Sequence, residues 1–84
     1  MSAAWVYILR CADGSLYTGW TVDVPRRLGA HRAGAASRYT RSRLPVELVA
    51  SFSMADARAA RREEARIKSL PRAAKLALLE SPLR

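Results

Sequence analysis

The chain has 84 residues, half of them apolar, with 15 lysines and arginines against 7 acids and a formal net charge of +8. That length can fill one modest core, so residues 1–84 read as a single small domain. No apolar run can cross a bilayer, and the lone cysteine, Cys11, excludes an internal disulfide or a cysteine-built zinc cluster.

Such a charge imbalance on a small surface favours polyanions, chiefly nucleic acid. Genomic base bias can also enrich arginine, but here the arginines cluster. Between Asp23 and Glu47 there is no acid, while Arg26, Arg27, Arg32, Arg38, Arg41 and Arg43 all fall in the gap. The start of the chain lacks the pattern of a secretory signal, so the expected address is cytoplasmic and no membrane is expected as a partner.

In chain order, residues 4–10 and 15–20 are two aromatic-rich apolar runs around Asp13-Gly14, a strong hairpin signal. The loop length decides where the two tyrosines face. A two-residue turn sets Arg10 against Tyr17 and puts Tyr7 and Tyr17 on opposite faces. A three-residue loop with left-handed Gly14 instead sets Leu9 against Tyr17 and Tyr7 against Gly19. It places both tyrosines on one face and Val6, Ile8, Leu16 and Trp20 on the other. Local chemistry leaves both registers open; a shared site requires the second.

Asp23 is an expected N-cap, with Pro25 in the first turn of a helix that runs to about Ala33 and stops at Gly34. Arg27 and His31, four apart, share a face of it. Residues 34–44 are polar, basic and irregular, with room for one helical turn. Residues 45–52 read as a third strand, with Val46, Leu48 and Ala50 alternating against Glu47, Val49 and Ser51. Ser53 to Asp56 resembles a capping box opening a long helix to about Leu70. Pro71 suits the first turn of a last helix, whose Ala74, Leu78 and Leu79 pack inward. The expected class is α/β, in the order ββαβαα.

Trp5-Val-Tyr7, nine residues, then Tyr17-Thr-Gly19 resembles the two-part signature of the GIY-YIG nuclease superfamily. Arg27 lies eight residues after Gly19, His31 four later, and an Arg-Glu-Glu-Ala-Arg-Ile-Lys segment sits in the long helix. Together with Ser37-Arg-Tyr-Thr40, these features resemble the small single-domain bacterial branch of that superfamily. The resemblance covers roughly residues 4 to 80. It departs at Trp5, where the triplet usually begins with glycine, at Thr18 in place of isoleucine, and at Trp20, where several relatives carry lysine.

The resemblance implies a small antiparallel three-stranded sheet flanked by helices. It also implies a metal-dependent endonuclease acting on DNA, with branched or damaged structures and repair as its setting. Tyr7 and Tyr17 correspond to the signature tyrosines, one helping to deprotonate the attacking water while the other orients it. Gly19 is the signature glycine needed for close packing. Arg27 stabilises charge on the phosphate, and His31 assists proton transfer. Glu64 corresponds to the carboxylate that holds a single divalent cation, Mg²⁺ or Mn²⁺.

The residues themselves carry part of this chemistry. A tyrosine, with a reference pKa near 10, is a poor base at neutral pH unless a nearby cation stabilises its phenolate. Arg27 is the candidate for that cation. On the long helix, Glu64 lies about 60° to one side of Ile67 and Glu63 about 40° to the other, so periodicity alone leaves both open as the inward carboxylate. Arg38, Arg41 and Arg43, with Tyr39 among them, suit a loop that tracks phosphates and offers one ring for stacking. Arg26 and Lys68 complete the expected nucleic-acid contacts. Arg58, Arg61, Arg62 and Arg66 are left as solvent-side charge, and Cys11 as structural or incidental. The alternative function is a nucleic-acid-binding module with the same fold and little or no turnover.

Overall fold

The computed structural model describes residues 3–80. Strands β1 (Ala4–Arg10) and β2 (Leu16–Thr21) form the hairpin. Its loop is the three-residue one. Cys11 N–H donates to the Ser15 carbonyl at 2.9 Å and Gly14 N–H donates to the Cys11 carbonyl at 2.9 Å. Gly14 sits at φ +84°, where an L side chain is strained. Asp13 braces the loop by accepting from the Ser15 N–H at 3.0 Å and from its hydroxyl at 2.6 Å. Tyr7 therefore faces Gly19, and Leu9 faces Tyr17.

Strand β3 (Glu47–Met54) pairs antiparallel with the other edge of β1, giving the order β2-β1-β3. It begins two residues later than expected and runs two further. Its simple alternation is also broken. Ile8 faces Ala50 and Leu9 faces Leu48, so Val49 is an extra, bulged residue. Leu48 consequently joins Val46 on one side of the sheet, while Val49, Ala50 and Phe52 pack on the other.

Helix α1 (Val24–Arg32) is capped by Asp23, whose carboxylate accepts from Arg26 N–H at 3.0 Å, and the chain leaves it through Gly34 at φ +76°. The expected single helical turn is α2 (Arg38–Arg41), capped by Ser37. Helix α3 (Ala57–Lys68) starts at a different cap from the one anticipated. Ser53 is paired with Trp5 in the sheet, so it is unavailable, and Asp56 caps instead by accepting from Ala59 N–H at 2.8 Å. In helix α4 (Arg72–Leu79), Pro71 is the cap itself and not part of the first turn.

Two cores result. Ala4, Val6 and Ile8 of β1 bury against Ala60 and Ile67 of α3, with Trp20, Leu78 and Leu79 around them. On the opposite face Tyr7, Leu9, Cys11 and Val46 are buried with Tyr17, Leu28 and Leu48 beside them. The helices thus divide: α3 and α4 cover the first face, α1 and α2 the second. The hairpin tip is held from both sides. Arg43 Nε donates to Asp13 at 3.0 Å, and Arg72 donates to the Gly14 carbonyl at 3.0 Å. Among the described residues no helix is long and apolar enough to cross a membrane.

Candidate active site

The three-residue hairpin loop decides the site, because it brings Tyr7 and Tyr17 to the same face with ring centroids 6.4 Å apart. Gly19 makes room for them. A Cβ on Gly19 would lie 2.5 Å from the Tyr7 hydroxyl and 2.7 Å from Cζ, so no larger residue fits without displacing the ring. His31 arrives from the last turn of α1 and is fully buried, its Nε2 2.8 Å from the Tyr7 hydroxyl. The imidazole lies edge-on to both tyrosines, at 5.6 Å from Tyr7 and 5.2 Å from Tyr17. Its other nitrogen, Nδ1, is 2.8 Å from the hydroxyl of Thr40, itself buried on α2.

Burial sets the protonation states. Desolvation, reinforced by the neighbouring Tyr17, pushes the Tyr7 phenol up to about 12, while the Arg27 guanidinium beside it pulls the other way. Desolvation and then Arg27 hold His31 below its ordinary value. The resting pair at neutral pH is a neutral phenol against a neutral imidazole. Arg27 is exposed one turn before His31 on α1, at the rim of the site. Arg26 and Arg27 together line a cavity of about 360 Å³ that also touches Thr21, Val22, Asp23 and Ala30.

Helix α3 lies along β1 and the edge strand β2, so one of its flanks reaches round towards the tyrosines. Glu64 and Lys68 occupy that flank. They pair at 3.5 Å, Lys68 Nζ stands 5.9 Å from the Tyr17 ring centroid, and the Glu64 charge acts to raise the Tyr7 pKa. Glu63 falls on the opposite flank and is taken by Arg66 through two bonds of 2.9 and 2.6 Å, which hold its carboxyl below the usual range. Of the two acids, Glu64 is the one turned to the tyrosines.

Tyr39 stacks on Tyr17 at 5.9 Å, and the Arg43 guanidinium lies 3.8 Å above the Tyr39 ring. Arg43 is also bonded to Asp13 and to the Tyr39 carbonyl, so it fastens α2 to the hairpin tip. Arg38 and Arg41 are exposed on the same turn. Trp20, in the position of the relatives' lysine, packs on the far face with α3, so the cation nearest the Tyr7 hydroxyl is Arg27. Cys11 is buried core. The sequence reading assigned no role to Thr40. Its signal there was the Ser37-Arg-Tyr-Thr40 stretch; in the structure Ser37 caps a helical turn whose third residue, Thr40, is buried.

Among the described residues no three potential ligands gather as a metal cage. The lone Glu64 carboxylate, 22 % exposed at its side chain, matches a cation that shares its shell with phosphate oxygens and water, the way Mg²⁺ is usually bound. The donor set fits an ion that arrives with substrate.

The family model described as "GIY-YIG catalytic domain" matches residues 3–77. A UPF0213 protein of Streptococcus agalactiae is 47% identical over 77 residues, covering 92% of this chain and 88% of that one. A UPF0213 protein of Natronomonas pharaonis is 51% identical over 71 residues, 84% of each chain. The solution NMR structure of the UPF0213 protein BH0048 from Bacillus halodurans is 43% identical, with a TM-score of 0.62 over 94% of this chain and 84% of that one. With its hairpin register, paired tyrosines and helix-borne carboxylate, the chain belongs to the GIY-YIG catalytic domain family, a family of nucleases.

Proposed function

We propose that the protein is a metal-dependent endonuclease that hydrolyses phosphodiester bonds in DNA, and that branched or damaged structures are its substrates. The observation that carries this reading is the cluster of Tyr7, Tyr17 and His31 on one face of the sheet, with Arg27 at its rim and Glu64 reaching it round the β2 edge. Hydrolysis requires a path for the proton of the attacking water and a positive group at the phosphate. The Tyr7–His31 pair supplies the first. Tyr17, the more accessible phenol, orients the water. Arg27, at the rim, faces the charge that develops on the phosphate.

Glu64 would hold one divalent cation, Mg²⁺ or Mn²⁺, once Lys68 yields its place. When bound, that cation supplies Lewis-acid polarisation of the phosphate. Arg26, Arg38, Arg41 and Lys68 carry the flanking phosphates, with Tyr39 offering a stacking face. Arg43 contributes through Tyr39, since its own bonds go to the hairpin tip.

The test is cleavage of flap, junction and single-stranded DNA with Mg²⁺ or Mn²⁺. Activity lost in both Glu64→Ala and Tyr17→Phe supports the assignment; cleavage unchanged by either overturns it. A second reading, a nucleic-acid-binding module without turnover, is favoured by one feature: the sole carboxylate at the site is already paired with Lys68. It predicts salt-sensitive binding that survives Glu64→Ala and no cleavage with either metal.

A further inference from the structure

The hydrogen bonds behind Tyr7 form a chain whose direction can be worked out from proton counts. Thr40 Oγ1 has one proton and two neighbours for it, the Ser37 carbonyl at 3.4 Å and His31 Nδ1 at 2.8 Å. If the proton goes to the carbonyl, the hydroxyl accepts from the ring. Nδ1 then carries the imidazole proton, which leaves Nε2 with a free lone pair facing Tyr7 at 2.8 Å. The phenol donates into it. In this direction every buried side-chain polar atom has a partner, as is the case throughout the described residues.

The reverse direction is inferior. If Thr40 donated to Nδ1, Nε2–H would donate to Tyr7 and the phenol proton would have to find another acceptor. Arg27, the cation beside that oxygen, offers only donors. A phenolate at Tyr7 would accept both, but burial holds Tyr7 protonated up to about pH 12.

We propose that Thr40 is a positioning residue that sets the tautomer of His31, so that Nε2 stands as the acceptor for the Tyr7 proton. Its value to catalysis rests on the nuclease reading; the tautomer itself does not. During attack a water proton passes to the Tyr7 oxygen while the phenol's own proton moves to Nε2. The water oxygen forms the new P–O bond, and the ester P–O bond breaks with its electron pair on the departing oxygen. That oxygen takes a proton from solvent, and His31 later returns one. The imidazolium formed meanwhile keeps Nδ1–H on Thr40, a bond that strengthens as the ring becomes charged.

His31 is the chain's sole histidine, so its ring nitrogens can be read without assignment. The experiment is a long-range ¹H–¹⁵N spectrum of the tag-free, uniformly labelled chain at neutral pH, recorded for wild type, Thr40→Ser and Thr40→Val. Expected in wild type and Thr40→Ser is a pyrrole-type Nδ1 and a pyridine-type Nε2. In Thr40→Val the shifts should converge or exchange as the Nε2–H tautomer becomes populated. On the DNA substrates above, Thr40→Ser should retain its cleavage rate. Thr40→Val should lose roughly ten- to a hundredfold, by analogy with the groups that orient metal-ligating histidines.

A wild-type ring protonated on Nε2, or an unchanged tautomer in folded Thr40→Val, overturns the proposal. Should Thr40→Val fail to fold, the wild-type and Thr40→Ser spectra still decide it. The predicted tautomer in a protein that cleaves nothing would refute the nuclease reading and leave this inference standing.

Discussion

Replacing Gly19 by alanine adds a single methyl against the ring of Tyr7, its partner across the hairpin. That methyl would lie 2.5 Å from the Tyr7 hydroxyl and 2.7 Å from Cζ, far inside van der Waals contact. The ring cannot swing aside. Tyr7 is on the central strand and 2 % exposed, and its hydroxyl is tied to buried His31. Overpacking of this kind costs about 1–3 kcal/mol. Pushing the phenol off Nε2 strands a buried nitrogen, adding about 1–3 kcal/mol. For a chain this small each kcal/mol moves the midpoint by roughly 4–8 °C, so Tm should fall by at least about 8 °C. Gly29→Ala is the matched control: it is exposed within α1, and its added Cβ meets nothing within 4 Å. Higher helix propensity should stabilise that variant by about 0.5–1 kcal/mol. Thermal unfolding followed by far-UV circular dichroism reads both. Gly19→Ala melting within a few degrees of wild type would refute the close-packing account.

Tyr7, raised to about 12 from 10, leaves the unfolded chain to deprotonate first. Stability should be intact below pH 10 and erode as pH rises towards 12; Tyr7→Phe should flatten that limb in urea titrations. His31 is held below 6.5, so the unfolded chain takes up its proton first. Stability should therefore be level above about pH 6.5 and decline beneath it, a decline that His31→Leu abolishes. Arg43→Ala removes the Asp13 ion pair and the cap over Tyr39 and should cost about 1–2 kcal/mol by urea unfolding. A double-mutant cycle with Asp13→Ala should show a favourable coupling between the two side chains, weakening with salt. DNA binding should weaken steeply with salt, and Arg38→Ala with Arg41→Ala should each lower the log–log slope by about 1.

Much of the hairpin was legible in the sequence because its constraints are local. Asp13-Gly14 demanded a turn, and the need to bring Tyr7 beside Tyr17 selected its length. The same locality explains Asp23, Gly34 and the single turn at Arg38. Where long-range pairing intervened, local reading stopped. Ser53 looked like a cap until the sheet claimed it, and Val49 gave no glycine or proline to announce a bulge. Glu63 and Glu64 were symmetric about Ile67. What separates them is that α3 runs along the edge strand, a fact of packing that helical periodicity cannot contain. Arg43 read as a phosphate contact because its partner, Asp13, lies thirty residues away. Thr40 lay in a basic segment noted for its resemblance but was given no role. Its burial depends on His31, on a different helix.

The two faces of the sheet divide the work. On the side of α3 and α4, Val6, Ile8 and Ile67 form a core with no titratable group among its buried members, and stability comes from apolar burial. On the side of α1 and α2 the buried set includes Tyr7, His31 and Thr40, each a polar group whose desolvation must be met by a partner. Only a closed chain of donors and acceptors makes that burial tolerable, and the chain from Tyr7 to Ser37 is closed. Because each member depends on the next, the site cannot be loosened at one position without orphaning another. The groups proposed to meet the substrate, Arg27, Arg38, Tyr39 and Arg41, are by contrast exposed at the rim. A buried hydrogen-bond chain beneath an exposed basic rim suits the proposed chemistry on a phosphate.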